Sequence, residues 1–241
     1  MLAAAAALTV MAASGTETAN AAPITVGVAD TGNCYPALCN DSGTSVGQSI
    51  DYQQVYSASE FSGPLTITSI SFLFAPQFGG AGLILSGNYI IDLAYAANGV
   101  GGLSNSLSSN IVGGTENLFA SASSNGTDSA NPTATINGQT PFSYNPANGD
   151  LLLEIIASNQ SNVPNFSGNG YFEADDTGAV TSRAWCVTNH GCVADNTGLV
   201  TEFNLEASDP APVPEPVTLS IFGAGLAGAI GMRRRRKAAK A

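Results

Sequence analysis

Lysine is absent from this 241-residue chain before Lys237, and Arg183 is the only arginine before Arg233. Between Ala22 and Pro212 sixteen Asp and Glu residues face that single cation. A segment so acidic repels phosphate backbones, because nucleic-acid affinity rests on Lys and Arg neutralising phosphates. It also lacks the Lys or Arg clamps of phosphoryl transfer. Nucleic-acid binding and ATP chemistry are therefore excluded as expectations. Histidine occurs once, at His190, within Thr188-Asn189-His190-Gly191. A Ser-His-Asp or Cys-His mechanism would have to use it, and no Gly-x-Ser-x-Gly elbow accompanies it. Sustained helical periodicity is missing between the two ends, and so is any repeat of fixed period. Only 10% of the residues are charged, whereas there are 27 Gly and 12 Pro.

What is present in the middle is strand and turn chemistry. Leu65-Thr66-Ile67-Thr68-Ser69-Ile70-Ser71-Phe72 largely alternates apolar residues with Thr and Ser, the period-2 mark of a half-buried strand. Ser49–Phe61, Leu65–Phe74, Tyr89–Tyr95, Asn117–Ser123, Leu151–Ala157, Tyr171–Ala174, Arg183–Val187 and Leu199–Leu205 are the predicted strands. Asn-Gly steps begin at Asn98, Asn125, Asn137, Asn148 and Asn169, each expected to supply the positive φ of a tight turn. Residues 99–114 read as a long loop. Many short strands with such connections predict an all-β ectodomain over residues 22–212, a β-sandwich of jelly-roll-like type. That length suffices for one well-buried core.

The two ends read as addresses. Residues 1–21 form an alanine-rich apolar run closing in Ala19-Asn20-Ala21, a signal-peptide core with a small-x-small site for signal peptidase. No Lys or Arg precedes the run, so either the natural start is expected upstream of Met1 or the signal is a weak one. At the other end Pro214-Glu215-Pro216 precedes an apolar run, residues 217–232, and then Arg233, Arg234, Arg235, Arg236 and Lys237. Sixteen residues make a helix of roughly 24 Å, and snorkelling arginines extend it toward a ~30 Å hydrocarbon core. The basic cluster places the tail in the cytoplasm and everything before Val213 outside. Within that run Gly223-Ala224-Gly225-Leu226-Ala227-Gly228 spells a dinucleotide loop, yet it lacks the strand, helix and acidic residue such a loop needs. Gly223, Ala227 and Gly231 read instead as a smooth face for helix contact in a membrane.

Pro-Glu-Pro, a short apolar helix and an arginine-rich tail over residues 213–241 together resemble the PEP-CTERM sorting signal of Gram-negative bacteria. The same kind of segment also carries the label of an ice-binding protein C-terminal domain, which implies no activity. The resemblance implies that exosortase, a membrane-embedded cysteine transpeptidase, recognises Pro214, Glu215 and Pro216 and processes the chain, and that the protein accompanies exopolysaccharide production. A second, softer resemblance covers most of the middle. Tyr52-Gln53-Gln54-Val55-Tyr56, Ile67 to Phe72, Pro141 to Leu153 and Gly198 to Phe203 are similar in succession to β-sandwich ectodomains that precede PEP-CTERM signals. It supports the fold and implies no activity.

Candidate sites are few. Cys34-x4-Cys39 and Cys186-x5-Cys192, in an exported chain, point to two disulfides; cross-pairing stays open, and a zinc site at these spacings, with His190 nearby, fits poorly. Arg183 beside Trp185 is read as an ion-paired or aromatic-stacked cation, with a ligand-facing pair as the alternative. Glu173, Asp175 and Asp176, with Asp195, Glu202 and Glu206, are oxygen donors of the kind calcium takes and carboxylates of the kind a glycosidase needs, though solvated acidic loops read the same way. No catalytic residue and no cofactor is assigned, calcium being the one weak candidate.

These observations converge on a non-enzymatic exported protein with a structural, adhesive or matrix role linked to exopolysaccharide. The expected itinerary is a membrane-anchored precursor with its domain in the periplasm, then the cell surface or extracellular matrix. The alternative is a secreted carbohydrate-binding or polysaccharide-degrading protein.

Overall fold

In β4, Leu65–Leu73, the side chains of Ile67 and Ile70 are both fully buried although they lie three residues apart. Strict alternation would put one of them in water, and a bulge at Thr68 reconciles them. The register slips between Ile67 and Ser69 against β7, Thr133–Tyr144, and at the matching place against β13, Thr201–Glu206. Against β13 Thr68 is one residue in excess, the definition of a β-bulge, whereas β7 sets residues 138–141 opposite it. Its hydroxyl donates to Asn204 O at 3.1 Å and closes the slip.

A computed structural model describes residues 21–39, 49–78, 84–126, 132–161 and 170–206. The chain divides after Glu206 into two compact units, and every described residue belongs to the first. That unit is all-β, as the sequence predicts, and its named strand pairings are antiparallel. With β1 at Ile24–Val26, one sheet runs β1-β13-β4-β7. The remaining strands are β2 (Thr31–Asn33), β3 (Ile50–Tyr56), β5 (Ser86–Tyr95), β6 (Asn117–Ser124), β8 (Leu151–Ser161), β9 (Phe172–Asp175), β10 (Thr181–Val187), β11 (Gly191–Asp195) and β12 (Gly198–Leu199). The second sheet runs β11-β10-β3-β8-β5-β6, and a small third sheet runs β12-β9-β2.

The two large sheets form a sandwich-like pair over one core. Ile67, Ile70 and Phe203 come from the first sheet, Tyr52, Leu153 and Ile91 from the second, and all are buried in the same cluster. Tyr56 meets Phe203 edge-on across the gap at 4.9 Å between ring centres. Gln54 ties the corner together: its amide donates to Leu199 O at 2.8 Å and accepts from Leu199 N at 2.7 Å. This side chain takes the hydrogen bonds a neighbouring strand would use, so a buried amide is left with no unsatisfied group.

Several expectations need correction. The predicted strand Leu199–Leu205 is two strands in different sheets, because Leu199 pairs with β9 while the chain turns at Val200 into β13. Ser49–Phe61 is strand only to Tyr56, followed by a 3-10 turn at Ala58–Glu60 whose cap Ser57 accepts from Ser59 N. β7 is absent from the predicted strands, and Asn137-Gly138 within it is no hairpin turn. Gly138 is there for space: an added Cβ would stand 2.5 Å from the Phe119 ring and 3.0 Å from Thr68 O. The other Asn-Gly steps divide. Gly126 and Gly149 have the expected positive φ of 75° and 128°, whereas after Asn98 the positive φ falls at Gly101; Asn169 lies outside the described residues.

Residues 99–114 are a loop as expected, and the loop is built. Buried Asn110 accepts from Ser104 N at 2.7 Å and donates to Gln53 Oε1 at 2.9 Å, fixing the loop to β3. Val100, Leu103 and Ile111 then cover Val55, Ala94 and Leu152 on the outer side of the six-stranded sheet.

Candidate functional site

Alternation along β10 puts Arg183, Trp185 and Val187 on one face, facing Gln54, Tyr52 and Ile50 of β3. β11 returns antiparallel and sets Asp195 opposite Arg183. The result is a two-point ion pair, Arg183 Nε to Asp195 Oδ1 at 2.9 Å and Nη2 to Oδ2 at 3.0 Å. The guanidinium carbon lies 4.3 Å from the centre of the Trp185 ring, within cation–π reach. Tyr35 packs on the same indole at 5.5 Å. Arg183 is only 8% exposed, so the lone cation of the domain is committed to Asp195 and Trp185. Its Nη1 has no hydrogen-bond partner. Burial beside this pair pushes the Tyr52 hydroxyl well above the usual phenol range.

The four cysteines form the local pairs Cys34–Cys39 and Cys186–Cys192. None is a free thiol, so no thiolate is left to hold zinc. Cys186 and Cys192 lie directly opposite each other in the β10–β11 ladder, and the bridge staples this edge hairpin. His190 lies at the hairpin tip on the exposed face of the loop, its N–H donating to Val187 O at 2.9 Å.

Of the acidic residues singled out by sequence, Glu173, Asp175 and Asp195 have separate structural tasks. Asp175 is 1% exposed and accepts from Val28 N, Thr177 N and the Thr177 hydroxyl. Glu173 accepts from Gln77 Nε2 at 2.6 Å, and Asp176 is exposed. Asp195 serves Arg183. Among the described residues no three His, Cys, Asp or Glu side chains are grouped to hold a metal ion.

Sequence reading missed a set of carboxyls that does converge among the described residues. Asp51 on β3, Glu154 on β8 and Asp92 on β5 share the outer face of the six-stranded sheet, with Glu154 opposite both Gln53 and Asp92. Gln53 donates to Glu154 Oε1 at 2.6 Å. Burial, Glu154's charge and a hydrogen bond to Glu154 raise Asp51 from 3.8 to about 7. Burial and the charges of Glu154 and Glu116 also raise Asp92. The Asp51 carboxyl lies within hydrogen-bonding reach of Glu154, closer than the ~5–9.5 Å that separates glycosidase carboxylates around sugar and water. Only the strand register brings these residues together.

The sign of the pH effect follows. The folded state keeps a proton on Asp51 that the unfolded chain releases above about pH 4. This contribution is fully present below pH 4 and is lost as pH rises toward 7. Asp51→Asn should therefore flatten stability between pH 4 and 7 and raise it at pH 8 by about 1–2 kcal/mol, allowing for water's access to the half-buried carboxyl. Thermal unfolding at a series of pH values checks this; parallel curves for variant and wild type would refute it.

A cavity of about 380 Å³ lies between the sheets, walled by Phe72, Tyr89, Ile91, Ile136, Ile155 and Phe172. The sorting residues Pro214, Glu215, Pro216 and Arg233 to Arg236, the span 217–232 and the leader 1–20 lie outside the described residues. Among those described, no helix is long and apolar enough to cross a membrane.

Comparison with known families shows that residues 212–236 fit the PEP-CTERM protein-sorting motif. The chain therefore carries the sorting signal its C-terminus resembles, the mark of an exported protein processed by exosortase. No curated protein and no solved structure matches the chain.

Proposed function

We propose that this protein is a surface-sorted, non-enzymatic β-sandwich whose domain serves a structural, adhesive or matrix role alongside exopolysaccharide. The observation that carries the reading is the sorting motif at residues 212–236 behind an all-β domain. The chain enters through a signal peptide removed by signal peptidase. It is held by the apolar span 217–232, with its domain in the periplasm. Exosortase then acts at Pro214-Glu215-Pro216 and delivers the domain to the surface.

The domain suits such a place. The strand order β1-β13-β4-β7 over β3-β8-β5-β6 is that of an eight-stranded jelly roll, to which the β10–β11 hairpin and the small sheet are additions. Two disulfides need an oxidising compartment. A surface rich in carboxylates and free of lysine keeps the domain soluble among neutral and acidic polysaccharides. The indole a lectin would offer to a sugar ring is already packed by Arg183 and Tyr35, and the converging carboxyls Asp51 and Glu154 hold each other.

Intact mass of the protein isolated from the native envelope and medium tests the reading. The expected species lacks residues 1–21 and the segment after Pro-Glu-Pro, and is four hydrogens light for its two disulfides. A product still ending at Ala241 would make it a permanent single-pass anchor and overturn the sorting step.

A further inference from the structure

We propose that the cavity between the sheets is a binding site for a neutral amphiphile with an apolar body of about ten to fifteen carbon atoms. An apolar cavity of about 150 Å³ holds a benzene ring, and this one measures about 380 Å³. Interiors pack to the density of organic crystals and seldom leave voids larger than a water molecule. Here small residues keep the space open: Ala37, Ala122 and Ala134 stand on the wall where larger apolar side chains would close it.

The wall is held in shape before any ligand arrives. Phe172 stacks on Phe74 at 5.2 Å and leans on Phe72 at 5.5 Å. The Tyr89 hydroxyl donates to Leu85 O at 2.8 Å and accepts from Gln160 Nε2 at 3.2 Å. Fully buried Gln160 also donates to Pro36 O at 2.9 Å, and its Oε1 has no partner. Pro36 and Ala37 stand within the loop closed by Cys34–Cys39. This disulfide therefore braces one side of the cavity. A preformed wall spares a ligand the cost of ordering it.

The mouth sets the chemistry of the ligand. Ser124 and Asn125 bring a hydroxyl and an amide to the edge of the cavity. Among the described residues no carboxylate lines the cavity to neutralise an ammonium group. Arg183, the one Lys or Arg among the described residues, is bound to Asp195. A charged head group would thus be desolvated without a partner, whereas a hydroxyl or amide finds both donors and acceptors. The cavity lies toward the end where β6 finishes at Ser124 and β7 begins at Thr133, while Glu206 pairs with Thr66 at the other end of β4. The site is thus at the end of the domain away from the chain's exit toward the sorting signal.

The test uses the full chain in phospholipid nanodiscs with ¹³C-labelled isoleucine δ1 methyls, titrated with 1-decanol and, separately, with decanoate at pH 8. Decanol should shift the Ile91, Ile136 and Ile155 methyls along a saturable isotherm and leave Ile67 and Ile70, deeper in the same core, in place. Decanoate should bind about tenfold or more weakly. Ala134→Phe fills the cavity and Ala122→Trp blocks its exposed rim; each should weaken decanol binding about tenfold or more. The rim variant leaves the core untouched, so it answers even if the first fails to fold. Uniform shifts over all core isoleucines, unaltered binding by Ala122→Trp, or decanoate binding as tightly as decanol would each overturn the proposal. None of these results bears on processing at residues 214–216, which the intact mass decides separately.

Discussion

Replacing Pro214, Glu215 and Pro216 together by alanine should leave the exported chain uncut, with residues through Ala241 retained and nearly all of the protein in the membrane fraction. Proline fixes its own φ and disfavours the helical region for the residue before it. Glu215, flanked by two prolines, therefore offers its carboxylate from a backbone that loses little freedom on capture by an enzyme groove. Alanines in the same places restore that freedom and extend the apolar run upstream. Glu215→Gln keeps the shape and removes the charge, so it separates the two components of recognition. It should slow processing while leaving signal-peptide removal unchanged. Neutralising Arg233 to Arg236 should act differently, by weakening the charge asymmetry that holds the tail in the cytoplasm. Intact mass of membrane and medium fractions reads all three. Normal release of the triple-alanine variant would show that the motif is not what the processing enzyme reads.

The sorting signal was legible because it is local: three adjacent residues, an apolar run and a basic run need no fold to be recognised, and the family match falls on them. The disulfides were legible for the same reason, each pair closing a short loop. Strands such as β4, β5 and β8 showed in their apolar alternation and β-branched content. β7 did not, since Asn137-Gly138 reads as a turn. Gly138 and Pro141 occupy the stretch opposite Thr68 where the β4–β7 ladder is interrupted, so no pairing is lost to the proline. Two other features depend on which strands become neighbours. Asp51, Glu154 and Asp92 lie far apart in sequence and meet only through the β3-β8-β5 order. The cavity likewise arises between two sheets, from alanines unremarkable in any one strand. Local chemistry therefore announced where the chain is sent, while the chemistry of the domain emerged from register.

Asp195→Ala should cost about 2–3 kcal/mol and lower the unfolding midpoint by about 5–10 °C. Removing one member of a buried pair usually costs ~3–5 kcal/mol. The figure is reduced here because the Asp195 side chain is 37% exposed and water screens it. Arg183 is the reason a large effect remains. Its side chain is 10% exposed and has no second carboxylate partner among the described residues, so the variant would strand a cation against Trp185 inside the sandwich. Arg183→Met in the same background removes that stranded charge and should recover most of the loss, since apolar replacements of buried pairs are often neutral or better. A double-mutant cycle measured by thermal unfolding isolates the coupling. High salt should change it little, because the guanidinium side is sheltered. If the two single substitutions simply add, the pair is not coupled, and Trp185 and Tyr35 alone hold the guanidinium. The cycle also bears on function. A strongly coupled pair is an internal brace for the β10–β11 edge, and it leaves Trp185 committed to the fold rather than to a sugar.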